Sequence, residues 1–292
     1  MRRGLELAVE QGKGRDAAVL YANLAIELHQ YEGPQAALDK CLEGKEFSER
    51  RGIAAFTASL AGQSTNYLLE LGRVDEALEQ AGEAAARAEA AGAVPELIET
   101  RSVEPRVLAE RGQLDEGSQR ASDALIEAAR SAGEPQQLAS ALAVGALVYA
   151  DQPEQAKALL FELERIPGVR ADQAYVTHLT ELVRRAIAVG DRELAARLVD
   201  GVEDRIPLFA HTLCACRAHL AEAAGDHSKA AAQYAEAAER WREFPRPPER
   251  AYALLGLGRC LRQLGDDGAE AALSDARELL SSLGYWPAMA RD

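Results

Sequence analysis

The chain has 292 residues and a formal net charge of −14 at pH 7. This acidity argues against direct binding of DNA or RNA, because nucleic-acid-binding surfaces carry a basic patch. The longest apolar run is too short to span a bilayer, so we expect no membrane contact. The cysteines follow no disulfide or metal-binding spacing, which predicts reduced thiols in a cytoplasmic protein; they are Cys41, Cys214, Cys216 and Cys260.

A short signal that ends one helix and starts the next recurs along the chain. Its clearest copy is Gly225-Asp226, where the glycine suits a left-handed helix end and the aspartate can cap the next helix. Further copies lie at Gly72, Gly112, Gly190 and Gly265, with intervals along the five glycines of 40, 78, 35 and 40 residues. The interval of 78 residues is twice 39, and Asp151-Gln152-Pro153 supplies a degenerate copy within it. Two helices per unit at this period predict a helical solenoid.

In chain order, these signals predict one leading helix and seven helix pairs in a single continuous domain, 1–292. The leading half-repeat covers 1–14, the repeats cover 15–52, 53–92, 93–133, 134–168, 169–206, 207–245 and 246–284, and a tail covers 285–292. Pro105 lies inside a predicted helix and should kink or split it. We expect an extended break at Pro245-Arg246-Pro247-Pro248, and the end of the last helix at Gly284-Tyr285-Trp286-Pro287.

The leading half-repeat lacks the first helix of its pair. A solenoid that ended here should carry a polar cap. We therefore expect the chain to be part of a longer protein or to pack against something upstream, and self-association through this uncovered end is an alternative.

The sizes of the side chains on the helices resemble those of the tetratricopeptide repeat (TPR) family. Aligned on Gly225, the first helix has the small Ala218, and the second has Ala230, the bulky Tyr234 and Ala237. This resemblance implies an all-α, right-handed α-α superhelix. In such a superhelix, the first helix of each pair lines a concave groove that holds a protein or a peptide.

A narrower resemblance concerns three segments, 47–52, 237–241 and 250–261. They look like the carboxy-terminal repeats of large bacterial signalling ATPases, which include LuxR-type regulators similar in plan to the maltose-regulon activator. The resemblance implies that this chain is the sensor or scaffold arm of such a regulator, with the ATPase outside it.

Candidate binding residues lie six positions before each aligned glycine, a position that faces the groove in the TPR geometry. They are Asn66, Arg106, Arg184, His219 and Arg259, and neighbouring groove positions add Asn23, Gln63 and Tyr252. Three arginines in one column could bind a carboxylate or phosphate of a partner. Alternatively, each arginine pairs with a nearby glutamate and binds nothing; the candidates are Glu70, Glu110, Glu181 and Glu222. The first hypothesis predicts that Arg184→Ala abolishes binding without loss of helicity.

Other patterns in the sequence do not predict a catalytic, metal or cofactor site. Gly256-Leu257-Gly258 lacks the strand and the phosphate-binding sequence of a nucleotide loop, and close helix packing explains it better. Cys214 and Cys216, near His211 and His219, would point about 200° apart on a helix and could not share a metal. The paired acids Glu162 and Glu164, and Asp266 and Asp267, lack a convergent partner.

The sequence therefore predicts a non-catalytic interaction domain, the arm of a bacterial signal-transduction or transcriptional regulator, with a protein or peptide in the concave groove. The alternative is a sensor domain that holds a small-molecule or peptide effector in the same groove.

Overall fold

The structure is a computed structural model, and it describes residues 1–285. Within this range the chain forms sixteen α-helices and one 3₁₀ turn, Val169–Ala171, and no strand. The helices are α1 Arg2–Glu10, α2 Gly14–Tyr31, α3 Pro34–Arg50, α4 Ala54–Glu70, α5 Val74–Ala91, α6 Val94–Arg101, α7 Val103–Arg111, α8 Glu116–Ala132, α9 Pro135–Val148, α10 Pro153–Glu164, α11 Gln173–Ala188, α12 Arg192–Val199, α13 Pro207–Ala223, α14 His227–Glu243, α15 Pro247–Leu264 and α16 Ala269–Leu283. The predicted helix-ending residues Trp286 and Pro287, with the rest of the tail to 292, lie outside the described residues.

Consecutive helices pack against one another, as in α2 with α3, α4 with α5, α13 with α14 and α15 with α16. The prediction of an all-α helical solenoid is confirmed. Small side chains make this packing close: Ala18, Ala37, Ala77 and Ala230 are fully buried. None of the helices within residues 1–285 combines the length and hydropathy needed to cross a membrane.

The predicted helix-ending signals act as expected where glycine meets aspartate. Gly225 has a φ of 82°, and the Asp226 side chain accepts a hydrogen bond from the Lys229 backbone N–H at 3.1 Å. Gly190 has a φ of 79°, and Asp191 caps the next helix in the same way. Only glycine adopts this backbone conformation without a steric penalty, so these boundaries are encoded locally.

Two proline effects differ from the prediction. The helix that contains Pro105 does split, but the break lies at Ser102, and Pro105 sits in the first turn of α7. The break at Pro245-Arg246-Pro247-Pro248 is shorter than expected, because α15 begins at Pro247. Proline is tolerated in the first turn, where its missing N–H would have no partner within the helix.

The chain forms two compact units, Met1–Glu104 and Pro105–Asp292, which we call the N-terminal and C-terminal units. The boundary falls within α7, beside Pro105. The N-terminal unit has a core that includes Leu38, Leu60 and Leu68, and the C-terminal unit is built around Trp241 and Tyr175. The organisation of 1–292 as one continuous domain stays a prediction.

Candidate functional site

Arg184, a predicted groove residue, is engaged inside the C-terminal unit. Its guanidinium donates two hydrogen bonds to the carboxylate of Glu249, at 2.9 and 3.1 Å, and lies 3.9 Å from the centre of the Tyr252 ring. The side chains of Arg184 and Glu249 are only 17% and 4% exposed. This bidentate pair uses the charge that was predicted to bind a partner.

Arg106 is also engaged with a carboxylate of the C-terminal unit. It pairs with Glu181, which also lies 3.4 Å from Nδ1 of His178. The hydroxyl of Tyr252 donates to Glu110. These contacts join α7, α11 and α15, the first helices of their pairs. We call the six residues that carry them the inner charge network: Arg106, Glu110, Glu181, Arg184, Glu249 and Tyr252.

The charges of the inner charge network are matched to their surroundings. Burial acts to raise the pKa of Glu181, but the Arg106 charge and the His178 hydrogen bond outweigh it and lower this pKa. Burial likewise opposes ionisation of Glu249, yet Arg184 lowers the pKa of that carboxyl. Burial and the neighbouring Glu181 charge raise the pKa of Glu110. The carboxylates of Glu181 and Glu249 therefore balance the charges of Arg106 and Arg184. Glu110 is the carboxyl of the network that holds its proton most readily.

Arg259 and His219 belong to a second cluster of the C-terminal unit. Arg259 donates to both oxygens of Glu222, at 2.8 and 2.9 Å, and the Tyr234 hydroxyl donates to Glu222 at 2.6 Å. The same hydroxyl lies 2.7 Å from Nδ1 of His219, so a neutral imidazole with its proton on Nδ1 completes the chain. Burial, with a contribution from Arg184, lowers the pKa of His219 to about 3 and keeps the ring neutral at pH 7.

The three remaining predicted residues lie in the N-terminal unit. Asn66 donates to Glu99 at 2.7 Å, and the side-chain oxygen of Gln63 accepts from the Cys41 thiol at 3.7 Å. Asn23 is exposed on α2. Burial raises the pKa of Glu99 to about 7, although the Asn66 hydrogen bond opposes this shift.

Two of the four glutamates that were expected to pair with the predicted arginines do so, and the other two have different partners. Glu181 and Glu222 do pair with arginines of the predicted column, whereas Glu110 accepts from Tyr252. Glu70 instead contacts His29 of the N-terminal unit at 2.7 Å, with both side chains 1% exposed. The structure thus brings five of the eight predicted residues into two internal clusters of the C-terminal unit.

A cavity of about 630 Å³ lies in the N-terminal unit, among α1, α2 and α3. We call it the N-terminal cavity. Its apolar lining is formed by Leu5, Val9, Tyr21, Leu24, Leu28 and Ala36. Leu5 and Val9 are four residues apart on α1, as are Leu24 and Leu28 on α2, so each pair shares one helix face. Such a volume is within the range of ligand-binding pockets.

Close packing of α3 on α2 positions Tyr21 beside the cavity. A Cβ atom added at Gly44 would lie 2.6 Å from Cβ of Tyr21, so only glycine permits this approach. The Tyr21 hydroxyl donates to Glu43 at 2.9 Å. Burial and this carboxylate raise the pKa of Tyr21 to about 12, so the hydroxyl stays a donor at neutral pH.

The polar part of the cavity lining is mainly acidic. It contains two basic side chains, Arg2 and Lys40, and five carboxylates, Glu6, Glu10, Glu32, Asp39 and Glu43. Arg2 pairs with Glu32 at 2.6 Å, and Lys40 pairs with Glu43. Of the other three carboxylates, Glu6 pairs with Arg3 at 3.1 Å, and Glu10 and Asp39 have no basic partner from the lining.

Exposed apolar side chains are concentrated around the same three helices. Of nine large apolar side chains that are exposed within residues 1–285, seven lie on or beside α1–α3: Met1, Leu7, Val9, Val19, Ile26, Tyr31 and Leu42. The sequence analysis did not predict the cavity, because all candidate binding residues were taken at the concave positions of the repeats. The spacing of Leu5 and Val9 on the unpaired leading helix was the available signal.

The residues weighed for other chemistry have structural contacts. A Cβ at Gly256 would lie 2.3 Å from Cζ of Tyr234, which confirms that this glycine serves close packing. His211 packs on the rings of Trp241 and Phe244, with centroids 5.7 and 5.1 Å away. Within residues 1–285, no group of three or more His, Cys, Asp or Glu side chains is arranged to hold a metal ion.

The paired acids are also engaged locally. Glu162 accepts two hydrogen bonds from Arg130, at 2.8 and 2.6 Å, and Glu164 accepts from Arg197 at 2.8 Å. Asp266 caps the Gly268 backbone N–H at 2.8 Å. These contacts hold the carboxylates in surface ion pairs and a turn.

No protein-family model matches the chain, and no curated protein matches its sequence. Among solved structures, the chain is similar to BtubC (BKLC) from P. vanneervenii, with 14% identity over 74% of this chain and 92% of that one and a TM-score of 0.47. It is also similar to a circular tandem repeat protein with novel repeat topology and enhanced subunit contact surfaces. That match has 16% identity over 97% of this chain and 74% of the other and a TM-score of 0.27.

Proposed function

We propose that this chain is a non-catalytic, TPR-like interaction domain whose N-terminal cavity receives a segment of a partner protein or a peptide. The observation that carries the proposal is the contrast between the two units. The predicted groove arginines of the C-terminal unit, Arg106, Arg184 and Arg259, are paired with its own carboxylates, whereas the N-terminal unit has a cavity of about 630 Å³ with an apolar floor and charged side chains around it. Concave sites that combine apolar surface with polar groups are the usual binding sites of proteins.

The same proposal places the chain in the cytoplasm, as a scaffold or sensor arm of a bacterial signal-transduction or transcriptional regulator. The resemblance of segments 237–241 and 250–261 to the repeats of signalling ATPases supports this role. The four cysteines are free and buried, which is compatible with a reducing compartment. The net charge of −14 supports a partner other than nucleic acid.

A sensor of a small-molecule or peptide effector is the second candidate. The cavity volume favours it, because pockets for small ligands have about 300–1,000 Å³. In this case a compound, rather than a macromolecule, would fill the N-terminal cavity.

The test is a selection of peptides from a display library against the full chain, followed by affinity measurements on two variants. Val9 is 36% exposed at the cavity and Leu264 is 50% exposed in the C-terminal unit, so a glutamate at either position should be tolerated in the fold. We expect Val9→Glu to weaken the selected peptides at least tenfold and Leu264→Glu to leave their affinity unchanged. A library that yields no peptide sensitive to Val9→Glu would overturn the proposal, and saturable binding of a metabolite at the cavity would favour the sensor.

A further inference from the structure

We infer that the N-terminal cavity selects one class of partner, a short amphipathic helix with a basic polar face. This inference rests on the proposed function and adds the chemistry of the ligand. It follows from three properties of the cavity: the absence of backbone partners along its walls, the length of those walls, and the charge of its lining.

The walls favour a helical ligand over an extended one. All three walls are α-helices, whose backbone groups are hydrogen-bonded within each helix. An extended peptide needs a strand edge or polar side chains to satisfy its own backbone, whereas a helix satisfies its backbone internally. A ligand helix therefore needs no backbone partner from the cavity, and the apolar residues Leu5, Leu24 and Leu28 offer contacts to its side chains.

The length of the walls matches about two helical turns. Lining residues run from Arg2 to Glu10 on α1 and from Tyr21 to Leu28 on α2. At 1.5 Å per residue, each of these walls is roughly 10–12 Å long. A ligand helix of this length places three or four apolar side chains, at positions i, i+3, i+4 and i+7, against the lining.

The charge of the lining sets the sign of the ligand. Both basic residues of the lining are already paired, with Glu32 and Glu43. Glu6 forms an ion pair with Arg3 at 3.1 Å, so the lining keeps a surplus of two negative charges around the apolar floor, those of Glu10 and Asp39. Lysine or arginine at the edges of the ligand's apolar face would meet these carboxylates, while an acidic helix would be repelled.

The probe is a fluorescein-labelled 14-residue peptide of leucine and lysine with an amphipathic helical pattern, and the readout is its fluorescence anisotropy with the full chain. Three comparison peptides test the amphipathic pattern, the charge and the helical conformation of the ligand: a scrambled sequence, a version with glutamate in place of lysine, and a version with a central proline. We expect the parent peptide to bind at least tenfold more tightly than each of the other three.

A pair of charge-matched variants separates the cavity from general attraction to an acidic protein. Glu10→Gln/Asp39→Asn removes two carboxylates of the lining, and Glu116→Gln/Glu154→Gln removes two from the C-terminal unit, where these side chains are 89% and 92% exposed. We expect the first variant to weaken binding about tenfold and the second to change it less than twofold. Equal losses in both variants would overturn the inference.

Failure of this inference can be told from failure of the proposed function. If the acidic, scrambled or proline-containing peptide binds as tightly as the parent and remains sensitive to Val9→Glu, the cavity is a binding site but not for a basic helix. If no peptide is sensitive to Val9→Glu, both proposals fail. Concentration-dependent dimerisation that Val9→Glu abolishes, measured by analytical ultracentrifugation, would assign the cavity to a second copy of the chain and overturn the inference.

Discussion

Replacement of Arg184 by alanine should destabilise the C-terminal unit instead of only removing a binding contact. The substitution leaves the carboxylate of Glu249, 4% exposed, without the guanidinium that donates to both of its oxygens. Breaking a buried ion pair from one side costs about 3–5 kcal/mol, because an uncompensated charge stays buried. This is a large part of the ~5–15 kcal/mol that stabilises a typical domain.

Urea unfolding at pH 7 measures this effect. Trp241 is fully buried in the C-terminal unit, so its fluorescence, in a Trp286→Phe background, reports on the unfolding of that unit. With an m-value of about 2 kcal/mol/M, Arg184→Ala should lower the urea midpoint by roughly 1.5–2.5 M. The double variant Arg184→Met/Glu249→Leu should recover most of the loss, because replacing both partners of a buried pair with apolar groups is often neutral.

Arg130→Ala is the matched control. Arg130 also donates two hydrogen bonds to one carboxylate, that of Glu162, but these side chains are 43% and 36% exposed. Exposed pairs contribute about 0–1 kcal/mol, so the control should shift the midpoint by less than about 0.5 M. If Arg184→Ala shifts it no more than the control does, the reasoning is wrong, and Arg184 would again be a candidate for ligand binding.

Three further predictions concern packing and pH. Gly256→Ala places a Cβ 2.3 Å from the Tyr234 ring and should lower the free energy of unfolding, measured in urea, by about 1–3 kcal/mol. Gly82→Ala has nothing within 4 Å of the added Cβ and should stabilise its helix by up to ~1 kcal/mol. The pKa of Glu99 is raised from 4.5 to about 7, so the free energy of unfolding of the N-terminal unit should fall by up to ~3 kcal/mol as pH rises from 4.5 to 7, as measured by hydrogen exchange. Glu99→Gln should remove this pH dependence. The pKa of His219 is lowered from 6.5 to about 3, so this ring should cost the C-terminal unit stability as pH falls below 6.5; if the urea midpoint of His219→Phe, followed by Trp241 fluorescence, changes between pH 7 and pH 5 as the wild-type midpoint does, the reasoning is contradicted.

The sequence by itself determined the helices and most of their ends, because the signals involved are local. The pattern around Gly225 and Asp226 needs only a left-handed residue and a side chain that caps three residues ahead. Gly72, Gly112 and Gly265, which carry the same signal in the sequence, also have positive φ in the structure. Where the helix divides at Ser102 and not at Pro105, the local signal indicated a break but not its position.

Only the tertiary structure decided what the predicted groove residues contact. The repeat position put Arg106 and Arg184 in one predicted column, whereas the structure pairs them with Glu181 and Glu249, which are 75 and 65 residues away in sequence. Spacing within one helix carries no information on how closely three first helices approach one another. The spacing of Leu5 and Val9 marks an apolar face on α1, but the volume of the N-terminal cavity depends on how α1 packs on α2 and α2 on α3, which spacing within one helix does not determine.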